Sequence, residues 1–96
     1  MARPRLEPQR LQAWLDAHPG WHVEQSTLTR CYSFPDYPTT IAFVTRLAFA
    51  AEKYDHHPDL LVTWGKVEVR WITHDAGGLT DLDLTLAEVT ERLATG

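Results

Sequence analysis

The sequence holds a single cysteine, Cys31, so no internal disulfide can form. A reducing compartment is the expectation, and Cys31, within a β-like run, is expected to pack as a small apolar residue rather than to react. Long hydrophobic runs are missing too: nothing approaches the ~20 apolar residues of a membrane span. The opening MARPRLEPQR is basic but has no apolar core, so it does not read as a signal peptide. A cytoplasmic location is expected. Positive charge is in deficit, with 9 Lys and Arg against 13 Asp and Glu and a formal net charge of −4. No basic stripe interleaved with aromatics is present, which argues against nucleic acid as a partner. Repeats, low-complexity tracts and linkers are also absent. A chain of 96 residues suffices for one core and not for two. Residues 1–6 are expected as a flexible tail and 7–96 as a single domain.

Aromatics, by contrast, are plentiful: four tryptophans, three tyrosines and three phenylalanines. A domain this small buries only a modest share of its surface. The aromatic load is therefore expected to divide between the core and a subunit interface.

EPQRLQAWLDAHPG predicts a short helix with Leu11, Trp14 and Leu15 on one face, stopped by His18-Pro19-Gly20. WHVEQSTLTRCYSF predicts two strands with a turn near Gln25-Ser26; Leu28, Arg30 and Tyr32 alternate with Thr29, Cys31 and Ser33. A long helix follows, capped by Asp36 with Pro38 in its first turn. Its apolar face is expected to be Ile41, Val44, Leu47, Ala48 and Ala51. Pro58 pushes His57 away from helical angles, so this helix should end at or before Asp55–His56. LLVTWGKVEVRWIT is the clearest hairpin, turning at Gly65, with Val67, Val69 and Trp71 alternating with Glu68 and Arg70. HDAGG predicts a loop. TDLDLTLAEVTERLA predicts a last helix with Thr80 as cap, Asp83 near its positive end, and Leu82, Leu86, Val89 and Leu93 as its stripe. The order α-β-β-α-β-β-α predicts an α+β fold: a four-stranded antiparallel sheet with helices packed on one face. An uncovered face or edge strand must then be managed, and self-association is one way.

The hairpin also brings distant residues together. With a turn at Trp64-Gly65-Lys66, paired residue numbers sum to about 129–130. His56 then lies opposite Thr73 or His74, just beyond the end of the ladder. Glu52 stands one helical turn before His56. Asp83 opens the last helix nine residues after His74. Three histidines and two carboxylates can thus surround one pocket. Imidazoles exchange protons near neutral pH, and no serine or cysteine nucleophile stands beside them, so the pattern points to proton transfer.

The run Glu52-Lys53-Tyr54-Asp55-His56-His57-Pro58, followed by Trp64, His74 and Asp83, resembles the signature of the pterin-4a-carbinolamine dehydratases. Gly20-Trp21 and GGLTDLDLTLAEV extend the similarity over roughly residues 18–94. The resemblance implies an α+β dehydratase domain. Its reaction would be loss of water from a 4a-hydroxytetrahydropterin to give the quinonoid dihydropterin. It implies no metal or organic cofactor, a pterin as the small-molecule substrate, and a homodimer or homotetramer. It also implies a place in recycling the pterin cofactor of aromatic amino acid hydroxylases. By position in the motif, His56 and His74 are the main acid/base candidates. His57 is expected to bind or orient the pterin and to share in proton transfer. Which histidine is acid and which is base stays open.

The remaining candidates each carry two readings. Glu52 either holds a histidine or the substrate, or is a solvated carboxylate. Asp83 matches the motif's acidic position and can orient His74, but a Thr80-x-x-Asp83 pattern also stabilises a helix start by itself. Trp21 either stacks on the flat pterin or fills core or interface. Trp64 is expected to serve packing, and Asp55 and Asp59 to be loop carboxylates. His18 and His22 read as surface or packing residues. A metal enzyme is disfavoured, since side chains of consecutive residues seldom converge on one ion and no HExxH or facial-triad spacing is present. The alternative to a dehydratase is an oligomeric binding module, non-catalytic or dual-role, that stabilises a protein partner.

Overall fold

In the computed structural model, which describes residues 3–95, three helices pack on one face of a four-stranded antiparallel sheet. The chain runs α1 (Pro8–Ala17), β1 (His22–Glu24), β2 (Thr27–Ser33), α2 (Tyr37–Tyr54), β3 (Asp59–Val62), β4 (Lys66–Trp71) and α3 (Asp81–Thr95), with a 3₁₀ turn at His74–Ala76. This is the α+β order expected from the sequence. The two hairpins sit side by side, in the order β1-β2-β4-β3. Gln25 and Ser26 both take positive φ (52° and 64°), the backbone of a two-residue hairpin turn that follows strand twist. In the second hairpin Asp59 pairs with Arg70 and Val62 with Val67, the register anticipated from the turn at Gly65.

Strand alternation decides the core. Leu28 and Tyr32 of β2 and Val67, Val69 and Trp71 of β4 point at the helices and are buried. Positions of the other parity lie on the uncovered face. Cys31 is one of them, so the expectation that it packs is overturned: it is exposed, paired across the ladder with Glu68. At the helical side, Tyr32 donates to Glu91 Oε1 (2.6 Å) and Arg30 pairs with the same oxygen (2.7 Å). Burial pushes the Tyr32 hydroxyl well above the ordinary tyrosine range, and the Glu91 acceptor adds to this. The Arg30 guanidinium lies over Gly20, where any Cβ would collide with it.

The two long helices depart from expectation in rotation. In α2 the buried residues are Thr40, Phe43, Leu47 and Ala51. Ile41 and Ala48, expected to face inward, are exposed, as are Tyr37 and Phe49. The helix is apolar on two sides, so periodicity alone could not choose between stripes; Phe43, packed on Tyr32 and Phe34, marks the inner one. In α3 the inner face centres on Asp83, Leu86, Ala87 and Thr90, with Leu82, Val89 and Leu93 flanking it. Trp64 is not packed into the core: the residue is 69% exposed at the hairpin tip, where its backbone carbonyl accepts from the Thr40 hydroxyl. Residues 3–6 have no helix or strand; within them the Leu6 N–H donates to the Leu79 carbonyl, and the Leu6 side chain packs against the core.

Asp36 caps α2 by accepting from the Thr39 N–H at 2.8 Å. Hydrogen bonding from the Thr39 side chain and backbone holds its carboxyl below the ordinary value of 3.8. A depressed carboxyl stabilises the fold above its unfolded pKa, and that contribution is lost as pH falls through the folded one. Asp36→Ala should therefore lower the melting temperature at neutral pH, and the gap from wild type should close as pH drops below 3.8. Thermal melts across pH 7 to 2.5 check this; a gap constant with pH contradicts it.

Candidate active site

The end of α2 sorts its two histidines. Asp55 takes the left-handed conformation (φ 51°) as C-cap, and its N–H turns back to the carbonyls of Ala51 and Glu52. The His56 N–H also returns to Ala51, at 3.1 Å. The chain then leaves the helix with His56 turned inward, its side chain 11% exposed, and His57 turned outward at 57%. The His56 ring lies nearly parallel to that of Trp71, with centroids 5.7 Å apart at 11°. Its Nε2 is 2.7 Å from Oδ1 of Asp83, a carboxylate with no exposure. The other Asp83 oxygen accepts from the Thr73 hydroxyl (2.8 Å) and the Thr80 N–H (2.9 Å). A buried carboxylate is tolerated only when its oxygens are so engaged.

On the far side of the hairpin the chain leaves β4 and makes a bridge between Thr73 and Gly78, closing a tight excursion that carries His74. Gly77 sits at φ 71°, where a side chain would be strained. His74 is exposed at the start of this excursion. A cavity of about 310 Å³ is lined by His56, His57 and His74 together with Asp55, Ile72 and Asp75. A second, more polar cavity of about 290 Å³ adjoins it around His56, with Arg3, Tyr54, Thr73 and Asp75 in its wall. Glu52 Oε1 lies 2.8 Å from His57 Nε2, both side chains open to solvent. Among the described residues no three histidine, cysteine or carboxylate side chains are grouped as a metal site requires.

A sequence model of the family described as Pterin 4 alpha carbinolamine dehydratase matches residues 4–93. The chain belongs to that family. It is 42% identical over 93 residues to a protein of Rhizorhabdus wittichii named provisionally as a pterin-4-alpha-carbinolamine dehydratase, covering 95% of each chain. A similarly named protein of Xanthomonas oryzae is 46% identical over 91 residues, which span 93% of this chain and 77% of the other. Among solved structures, the transcriptional coactivator/pterin dehydratase from Brucella melitensis superposes with a TM-score of 0.88 at 33% identity, over 94% of this chain and 98% of that one. A pterin dehydratase-like RuBisCO assembly factor of the alpha-carboxysome shares the fold, with a TM-score of 0.64 at 21% identity over 77% of this chain.

Of the residues singled out from the dehydratase signature, His56, His57 and His74 line one cavity. Glu52 reaches it through His57. Asp83 is placed differently from expectation: it bonds His56, not His74, because the inner face of α3 directs it beneath the end of α2. Half of the expected capping box forms. Asp83 returns to the Thr80 N–H, while the Thr80 hydroxyl is diverted to Thr73. Trp21 is not brought to the histidines. It is buried edge-on between Trp14 and Tyr32 on the other side of the core. Three residues at the site were given no role of their own from the sequence. Asp75 carried a signal as the neighbour of His74. Thr73 carried one in its parity, which continues the inward positions Val67, Val69 and Trp71. Arg3 carried none, since it arrives on a segment without periodicity.

The geometry separates the two carboxylates in energy. Asp83→Ala strips a buried imidazole and two other donors of their acceptor and should destabilise the fold by about 3–5 kcal/mol. Glu52→Ala removes a solvent-screened pair and should stay within about 1 kcal/mol of wild type. Urea unfolding measures both; similar losses for the two variants contradict this assignment.

Proposed function

We propose that this chain catalyses the dehydration of a 4a-hydroxytetrahydropterin to the quinonoid dihydropterin. The observation that supports it is the cavity with three histidines on its wall, in a chain of the pterin carbinolamine dehydratase family. In the reaction the C4a–O bond breaks and the departing hydroxyl takes up a proton to leave as water. The ring loses the N5 proton, and its electron pair closes the C4a=N5 double bond. One proton is given and one is taken, so imidazoles on either side of the substrate suffice; the two are left with exchanged protonation states and reset by proton exchange with solvent. His56 and His74 are the acid/base pair in this reading. His57, tethered by Glu52, orients the pterin and shares in proton transfer. Asp83 holds His56 in place. The proposal puts the reaction in the cytoplasm, recycling the pterin cofactor of an aromatic amino acid hydroxylase.

The test is direct. Wild-type protein should accelerate dehydration of a synthetic 4a-hydroxytetrahydropterin, and His56→Ala and His74→Ala should each cut kcat by about 10²–10⁴-fold while remaining folded. No acceleration at micromolar protein would sink the enzyme reading and favour the partner-stabilising module.

Self-association, as a homodimer or homotetramer, accompanies the proposal. The feature in its favour is the outward stripe of α2, where Tyr37, Ile41 and Phe49 are exposed, Phe49 by 74%. Val44, Ala48 and Phe49 line an apolar cleft there that ends at Glu52. Contiguous exposed apolar surface of this kind is uncommon on a monomer. Phe49→Glu should convert the oligomer to monomer in analytical ultracentrifugation; a wild type that is monomeric at tens of micromolar contradicts this.

A further inference from the structure

We propose that Thr73 is a positioning residue: acting through Asp83, its hydroxyl holds His56 in the Nε2–H tautomer and reserves Nδ1 for proton exchange with the substrate. The proposal rests on the acid/base reading of His56 given above.

A threonine hydroxyl has one proton and two lone pairs. The Thr73 oxygen lies 2.8 Å from Asp83 Oδ2 and 2.8 Å from the Thr80 hydroxyl. A carboxylate oxygen only accepts, so the one Thr73 proton goes to Asp83. The Thr80 hydroxyl must then donate to Thr73. The Thr80 N–H adds a second donor to the same carboxylate oxygen, at 2.9 Å. Thr73, Thr80 and Asp83 are all buried, so solvent does not compete for these positions. Every proton in the set runs towards Asp83. Oδ2 is occupied by two donors, and Oδ1 is left for His56 Nε2 at 2.7 Å. That nitrogen therefore carries a hydrogen. Which ring nitrogen is protonated follows from the bond the other one makes. His56 Nδ1 has no protein partner among the described residues, and the ring lines both cavities. In the neutral form Nδ1 is the base; protonated, it is the acid.

Packing alone does not call for threonine at this position. It continues the inward-facing series Val67, Val69 and Trp71, where valine serves equally well. The hydroxyl is what distinguishes it. Removing it would leave Asp83 Oδ2 with one donor instead of two and the buried Thr80 hydroxyl without its acceptor. The carboxylate would be free to turn, and the tautomer of His56 would no longer be fixed.

Thr73→Val compared with Thr73→Ser separates the hydroxyl from the shape. Nitrogen-15 NMR of histidine-labelled protein, at a pH where His56 is neutral, should show Nε2–H for His56 in wild type and Thr73→Ser. Thr73→Val should show a mixture or the Nδ1–H form. A wild type that is mainly Nδ1–H overturns the proposal. The wild-type measurement is independent of activity and needs no variant to fold. In kinetics with the 4a-hydroxytetrahydropterin, Thr73→Val should lower kcat about tenfold. KM should stay within about twofold, and the pH profile of kcat should move. Thr73→Ser should restore both. A folded Thr73→Val with wild-type tautomer and pH profile overturns the proposal, as does Thr73→Ser losing as much rate as Thr73→Val. An inactive wild type with the Nε2–H signature removes the dehydratase reading but supports the tautomer assignment.

Discussion

A carboxylate with no access to water, Asp83, joins three separate parts of the chain. It sits in the first turn of α3, receives the imidazole that follows α2, and receives the hydroxyl of the residue that leaves β4 towards His74. Desolvating such a charge costs several kcal/mol, and the cost is offset only while all its donors are in place. The first turn of α3 contributes as well, since its free N–H groups favour negative charge there. Displacement of any one of the three segments would cost the charge at least one of these donors. The arrangement around the cavity therefore holds together or fails together.

This anchoring is uneven across the histidines. His56 is clamped by Asp83 on one edge and Trp71 on one face. His57 and Glu52 pair in solvent, and His74 stands exposed at the start of its 3₁₀ turn. One imidazole is thus part of the folded frame, while the others have no buried partner. Ordering them is a cost that a bound substrate would have to meet. The same difference separates the two carboxylates: one is structural and buried, the other adjustable and wet.

Much of this was legible in the sequence, for identifiable reasons. The alternation of Val67, Val69 and Trp71 and the turn at Gly65 are local signals, and together they gave the register that carries His74 back to His56. Pro58 marked the end of α2 by a steric rule that depends on nothing distant. What failed depended on tertiary placement. Ile41 and Phe43 are equally apolar, and only the sheet beneath them decides that Phe43 goes inside. The partner of Asp83 was mistaken because spacing from His74 says nothing about which element α3 covers. Trp64 was misplaced and Trp21 left between two readings for the same reason: an aromatic announces burial or contact without saying where. Thr73 was legible by parity alone, since a hydroxyl at an inward position must find a partner.

The β3–β4 hairpin has a consequence for how this chain can vary. Its strands are fully paired from Asp59 to Val62 against Val67 to Arg70, with no bulge in the ladder. Its tip is pinned to the rest of the molecule, since the Gly65 carbonyl accepts from Phe34 and the Trp64 carbonyl from Thr40. The arms thus act as a ruler with a fixed zero, marking off His56 along one edge and Thr73 and His74 along the other. A single residue inserted into either arm would have to bulge out, or it would turn every later position to the opposite face. Length is therefore constrained more tightly here than identity. The hairpin side chains can drift within their parity, but their number is set by a cavity at the opposite end.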